Sequence, residues 1–335
     1  MALDPLQALP NAPLGRPLRA AFFGTPALAL PTLEAMLARP DLCDVVAVVA
    51  QPDKPVGRGK KMRPPPVAKR ASTLGLRLLQ PRRIRTGEFP EALEALNLDV
   101  AVVIAYGRIL TTRHLETPRF GCVNVHASLL PAWRGAGPIQ WAILEGDTRS
   151  GVTTMWMEEG LDTGPILQVA ELPIGTRDTS SSLGAKLAQL GADLLIDTLC
   201  ALKEGRLTAR AQPDEGASYA RILTKDDGIL DWSRSAVELD RQVRGLTPWP
   251  GAVCGFRGER LKVHLAEVAD GQEAAPVGAV VGLSEAGIDV GCGRGVLRLT
   301  QVQPPGRKAQ PASDFVRGYH PELGESLTLP RQDDT

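Results

Sequence analysis

Asn124 and His126 stand two residues apart in the run GCVNVHASLLPAWRGAG, residues 121–137. Their side chains are polar functional groups in a segment that otherwise reads as a buried strand, and an imidazole is able to exchange a proton near neutral pH. Cys122, Val123 and Val125 read as strand residues, and a strand repeats every second residue, so Asn124 and His126 face the same side. After Ser128 the pattern breaks, and Gly137-Pro138 opens a helix, since proline suits a first helical turn. The pair therefore sits where a strand ends, the edge at which open parallel sheets bind ligands. On its own, an Asn-x-His pair is more often structural than catalytic. A second polar knot shifts the balance: EEGLDTGP, residues 158–165, follows the strand-like run 151–157. Asp162 lies in that Gly-flanked loop, where a carboxylate is able to orient an imidazole and favour its charged form.

The segment NVHASLLPAWRGAGPIQWAIL, with GLDTGPIL downstream, closely resembles the folate-dependent formyltransferases. FxGTPxxA near the start and PDKPVGRGKK at 52–61 resemble the branch of that family acting on methionyl-tRNA. The resemblance implies that a formyl group passes from N10 of 10-formyltetrahydrofolate to the amino group of methionine carried by initiator tRNA. Initiator methionyl-tRNA is then the implied partner, and neither a metal nor a covalent nucleophile is required. Asn124 and His126 are implied at the oxyanion, with His126 also passing a proton to N10 and Asp162 holding the imidazole. Ser128, Leu129, Leu130 and Pro131 are implied to lie against the folate, and Arg58, Lys60, Lys61 and Arg63 to grip the tRNA acceptor end. Three positions depart from the pattern: Leu28 replaces an aromatic, Ala132 an arginine and Gly137 an alanine. A Ser-His-Asp hydrolase is the competing chemistry, but no G-x-S-x-G elbow surrounds Ser128.

The elements that must position these residues are legible from periodicity. Strand over 18–23, helix over 27–38 and strand over 45–50 make a βαβ unit. Its turn holds Gly24 alone, without G-x-G-x-x-G, which excludes a nicotinamide site of Rossmann type. A helix near 88–96 and an apolar strand over 100–105, ending at Tyr106-Gly107, continue the alternation. The stretch 51–70 sets seven Lys and Arg against Asp53 and carries enough Gly and Pro to exclude regular structure over most of its length. Most charge runs of this kind are solvated mobile loops, but basic, Gly-hinged segments can also order against phosphates, and the resemblance favours the second reading. A helix over 183–202 closes the first domain. Short strands at 253–256, 261–267, 278–281, 288–290 and 296–302, behind a helix at 236–246, indicate a small barrel.

The expected fold is α/β, with an N-terminal Rossmann-like open parallel sheet domain followed by a small OB-like β-barrel domain. Its expected divisions are a disordered extension at 1–17, a catalytic domain at 18–204, a linker at 205–218 and the OB-like domain at 219–327. Lys plus Arg and Asp plus Glu both total 38, and this balance argues against bulk-charge coating of nucleic acid. The five scattered cysteines show no metal-ligand spacing and fit a reducing compartment. Without a secretory pattern or a long apolar run, a cytoplasmic monomer with no membrane and no obligate protein partner is expected. Two other functions fit parts of the sequence. A sister transferase acting on an amino sugar nucleotide or a small amine needs neither the basic loop nor the second domain in this form, and a non-enzymatic RNA-binding protein leaves the polar cluster without a purpose.

Overall fold

The computed structural model describes residues 12–56, 59, 61–269 and 276–329, which form two compact units. The units interleave in sequence: the first takes the described residues up to Gly135, then Arg149–Leu172 and Gly184–Tyr219, and the second takes Ala136–Thr148, Pro173–Leu183 and the chain from Ala220 onward.

The first unit is built on a seven-stranded sheet. Its strands are β1 (Leu18–Gly24), β2 (Cys43–Val49), β3 (Leu78–Leu79), β4 (Val100–Ile104), β5 (Cys122–His126), β6 (Arg149–Trp156) and β7 (Ile166–Pro173). They lie in the order β7-β6-β5-β4-β1-β2-β3. Pairings from β3 through β5 are parallel, as expected, and β4 is buried at every residue. β6 runs antiparallel to β5, so the sheet is mixed rather than wholly parallel. Hydrophobic periodicity reports burial and carries no strand direction, which is why the sequence did not reveal this.

The two faces of the sheet separate cleanly. Ala21, Phe23, Ala47, Val49, Ala101, Val103 and Cys122 share one core with Phe89, Leu93, Tyr106 and Leu115. By the two-residue repeat, Asn124 and His126 continue that face beyond Cys122. On the other face lies the helix Ser180–Lys203, where Gly191 permits close approach: a Cβ there would stand 3.0 Å from a Val125 methyl and 3.3 Å from Val152.

Residues 12–17 are attached to this unit, although the sequence suggested a loose extension through residue 17. Leu14 N–H bonds the Lys203 carbonyl at 2.8 Å, and Arg16 grips Asp99 through both guanidinium ends, at 2.5 and 2.9 Å. Residues 1–11 of that extension lie outside the described residues. Burial opposes ionisation of Asp99, but the Arg16 guanidinium and the Arg19 backbone N–H outweigh it, and the carboxyl is held below its ordinary value. A depressed carboxylate stabilises the fold above its unfolded pKa and loses that contribution as pH falls through the folded value. Asp99→Asn is therefore expected to lower the denaturation midpoint at neutral pH, with the difference from wild type shrinking well below about pH 3.9. Urea titrations at the two pH values check this.

The basic stretch is more regular than its composition suggested. Lys54–Val56 pairs antiparallel with Lys61–Arg63, and a helix, Pro66–Thr73, begins with proline in its first turn. Pro55 is tolerated because this two-stranded ribbon has free edges.

The second unit carries an antiparallel six-stranded sheet. Its strands are β8 (Ala252–Phe256), β9 (Glu259–Ala269), β10 (Val280–Ser284), β11 (Gly287–Gly291), β12 (Val296–Gln303) and the short β13 (Gln310–Pro311). The order is β8-β9-β12-β11-β10, with β13 beside β12. The tail spans the two outer strands: Gly255 N–H bonds the Leu327 carbonyl at 2.8 Å, Leu327 N–H bonds Gly278, and Gly324 N–H bonds Val280. This strapping gives the sheet the barrel-like character expected from its short strands. The helix Ala236–Gly245, with a Ser235–Glu238 capping box, supplies Leu239 and Val243 to the core beneath the sheet. Among the described residues no helix is long and apolar enough to cross a membrane.

Candidate active site

Asn124 and His126 leave β5 side by side on one face, and both are mostly buried, at 9% and 6% exposure. Because β6 runs the opposite way, its trailing loop starts beside the beginning of β5, where Met157 N–H bonds the Cys122 carbonyl. The loop then doubles back over the face, and Asn124 Nδ2 donates to Asp162 Oδ1 at 3.2 Å. Two glycines make this tight path possible. A Cβ on Gly164 would fall 1.9 Å from the Trp156 carbonyl oxygen, and one on Gly160 would fall 2.0 Å from Thr163 Oγ1. Asp162 itself is left-handed, with φ +53°, a conformation Asp tolerates better than most residues.

The segment after β5 returns to His126. Its Nε2 lies 2.9 Å from the Trp133 carbonyl, and since a carbonyl only accepts, Nε2 carries the hydrogen. Nδ1 is then the proton-exchanging nitrogen, 3.7 Å from Asp162 Oδ2. That separation is ion-pairing range and too long for a hydrogen bond. The short bonds of the carboxylate go elsewhere: Oδ1 accepts from Asn124, and Oδ2 accepts from Gly135 N–H at 2.8 Å. The structure thus brings Asn124, His126 and Asp162 together. It places Asp162 as a shared anchor for the amide and the returning backbone, facing the ring rather than bonded to it.

The folate-lining run is a closed turn. Ser128 is 1% exposed, and its hydroxyl donates to the Ala132 carbonyl at 2.6 Å, not to His126. Thr153 Oγ1 donates to the Ser128 carbonyl and accepts from Leu130 N–H, at 2.8 and 3.1 Å. Leu130 is buried, while Leu129 and Pro131 are partly exposed. A Ser-His-Asp relay is therefore not assembled. Leu28, with Ile104, Val125, Ala127, Val152, Leu187 and Ala188, borders an apolar pocket. Val125 and Ala127 alternate with Asn124 and His126, so Leu28 lies on the helix side of the sheet, away from the polar cluster.

The turn after β4 is tied to the root of the basic stretch. Thr25 Oγ1 and Gln51 Nε2 both donate to the Tyr106 carbonyl at 2.9 Å, and Gln51 Nε2 also lies 3.1 Å from the Gly107 carbonyl. Burial pushes the Tyr106 phenol up to about 12. Gln80 Nε2 fastens Asp53 Oδ1 at 2.8 Å. Beyond this root, Lys61 and Arg63 are exposed on the hairpin, with no bond to the Asn124–His126–Asp162 cluster among the described residues. Arg58 and Lys60 lie outside the described residues.

Three contributors were not singled out in the sequence. Trp133 supplies the carbonyl for His126, and its own N–H bonds Ser218 Oγ at 2.9 Å. Gln212 donates to the carbonyls of Asp162 and Gly164. Ser218 and Gln212 belong to the stretch 205–218, expected as a bare linker and found folded onto the first unit. There Arg210 pairs with Ile166 through two backbone bonds, at 2.8 and 2.9 Å. Ser218 and Gln212 lie in a polar stretch that carried no periodic signal. His114, by contrast, is structural: its Nδ1 accepts from Thr111 Oγ1 at 2.6 Å, and its ring stacks on Phe89.

Residues 18–199 match the formyl transferase family, and residues 222–320 match the formyl transferase C-terminal domain. A methionyl-tRNA formyltransferase of Trichlorobacter lovleyi is 45% identical over 314 residues, covering 94% of this chain and 98% of that one. Another, from Myxococcus xanthus, is 49% identical over 306 residues, covering 91% and 96%. Among solved structures, HypX from Aquifex aeolicus in complex with tetrahydrofolic acid superposes with TM-score 0.63 at 15% identity, covering 92% of this chain and 48% of that one. The sugar 3N-formyl transferase WlaRD gives TM-score 0.64 at 16% identity, covering 88% and 100%. Identities this low speak for the fold alone.

Proposed function

This chain belongs to the formyl transferase family, and from that premise we infer that it moves the formyl group of 10-formyltetrahydrofolate onto the amino group of methionyl-initiator tRNA, giving N-formylmethionyl-tRNA for translation initiation. The observation carrying the reading is the convergence of Asn124, His126 and Asp162 on one sheet face, in a chain alike over 91% and 94% of its length to two relatives named for that activity. We take the chain to act as a monomer in the cytoplasm.

Attack of the amine on the formyl carbon gives a tetrahedral intermediate, which needs an oxyanion donor, a route for the proton that leaves the amine and an acid that delivers a proton to the departing nitrogen. Asn124 presents an amide whose other contact, to Asp162, fixes its rotation. His126, steered by the Trp133 carbonyl, keeps Nδ1 for proton exchange. Asp162 holds the amide and the Gly135 backbone in register and turns a negative oxygen towards the imidazole. Leu129 and Pro131, on the exposed side of the Ser128 turn, are positioned to border the folate; the Ser128 hydroxyl serves the turn itself. Transfer proceeds without a metal or covalent enzyme intermediate.

The basic stretch takes the acceptor end of the tRNA, with Arg58, Lys60, Lys61 and Arg63 supplying charge. Replacing Lys61 and Arg63 together by Gln is expected to raise KM for the tRNA. It should also flatten its salt dependence by about one unit of log–log slope per lost phosphate contact, with KM for the folate unchanged. Steady-state kinetics at a series of salt concentrations reads both. The function itself is tested by offering charged initiator tRNA, charged elongator methionyl-tRNA and free methionine with 10-formyltetrahydrofolate. Formylation confined to the initiator species supports the reading. Equal use of all three, or use of an amino sugar nucleotide instead, contradicts it.

A further inference from the structure

Asp162 is held from behind as well as in front. The side chain of Gln212, half-buried, spans the turn on which Asp162 sits: Nε2 donates to the Asp162 carbonyl at 2.8 Å and to the Gly164 carbonyl at 2.7 Å. Its Oε1 accepts from Arg134 Nε at 3.0 Å. The amide orientation is fixed by chemistry, because carbonyls only accept and a guanidinium only donates. Arg134 is itself buried, and its neighbour Gly135 donates N–H to Asp162 Oδ2. The contacts close into a ring: Gln212 to the Asp162 backbone, the Asp162 carboxylate to Gly135, and Arg134 back to Gln212. The backbone pairing of Arg210 with Ile166 anchors this strap two residues before Gln212.

We propose that Gln212 is a positioning residue for the transfer reaction, acting through Asp162 to set where its carboxylate lies between Asn124 and His126. This rests on the reading of Asp162 given above. The physical reason is the backbone. Asp162 occupies a left-handed conformation, which a side chain tolerates only when its surroundings specify it. Glycines on either side of Leu161–Thr163 leave the turn few restraints of its own. Both hydrogens of one amide, fastened to the carbonyls of residues 162 and 164, supply the missing restraint. A shift of the turn by a fraction of an ångström moves the carboxylate relative to the Asn124 amide at 3.2 Å and the imidazole at 3.7 Å.

The test is a double-mutant cycle between Gln212 and Asp162, read as kcat and KM for both substrates. Gln212→Ala is expected to lower kcat by about 10–100-fold, with KM for folate and tRNA within about two-fold, since misplaced catalytic geometry costs rate rather than binding. Gln212→Glu keeps the shape and the acceptor for Arg134 but has no N–H to donate, and is expected to fare no better. In an Asp162→Asn background, Gln212→Ala should add little further loss, because the group it positions is already disabled. Three results overturn the proposal: Gln212→Glu with wild-type kcat, a loss confined to KM, or an undiminished Gln212→Ala loss in the Asp162→Asn background. The last leaves the role of Asp162 standing. Near-normal turnover in Asp162→Asn alone removes the reading of Asp162 and this inference with it.

Discussion

His126→Ala is expected to fold normally and to turn over roughly 10²–10⁴-fold more slowly, the usual loss when a positioned acid or base is removed. The geometry supplies the reason. Nε2 is committed to the Trp133 carbonyl at 2.9 Å, so Nδ1 alone exchanges protons, and among the described residues no other histidine joins the cluster. His114 is locked to Thr111, and His264 bonds Gln303 in the second unit. The fold should survive because Trp133 keeps its second tie, the N–H bond to Ser218 Oγ at 2.9 Å. Thermal melting beside wild type checks folding, and turnover at saturating substrates reads the effect. Near-normal turnover would return His126 to a purely structural role.

Asn124→Ala should cost about 2.7–4 kcal/mol of transition-state stabilisation, the loss that follows removal of one oxyanion donor. The side chain has little else to do: it sits at 9% exposure within a buried strand, and the bond to Asp162 Oδ1 aims its amide. Removing it also frees one oxygen of Asp162, but Oδ2 remains fixed by Gly135 N–H. The expected signature is a fall in kcat and kcat/KM together. A rise in KM with kcat preserved would mean that Asn124 binds substrate without stabilising the transition state.

How much of this was legible in the sequence depended on how local the determinant is. Asn124 and His126 announce themselves because a two-residue repeat puts both on one face. Asp162 does so because a carboxylate flanked by Gly160 and Gly164 stands out from a strand end. Gln212 has no such context. It lies in a polar stretch without periodicity, and its role depends on carbonyls 48 and 50 residues earlier in the chain. The direction of β6 was hidden for a related reason, since burial patterns read the same in both senses. Yet that direction decides how the Asp162 loop arrives over Asn124. Residues 12–17 looked loose from Pro and Ala content, and only the fold reveals that Arg16 has Asp99 to grip. Composition also concealed the hairpin in the basic stretch, because Gly and Pro predict turns and say little about the residues that pair across them.

The most direct test is a single-turnover measurement of formyl transfer from saturating 10-formyltetrahydrofolate to charged initiator tRNA. It compares wild type with Asn124→Ala, His126→Ala and Asp162→Asn, alongside folate binding measured without tRNA. If the three side chains form one catalytic unit, each variant should bind folate as wild type does and transfer the formyl group at least about 100-fold more slowly for Asn124→Ala and His126→Ala. Transfer rates within about two-fold of wild type, or losses traced wholly to weaker folate binding, would contradict the assignment of the chemistry to this cluster.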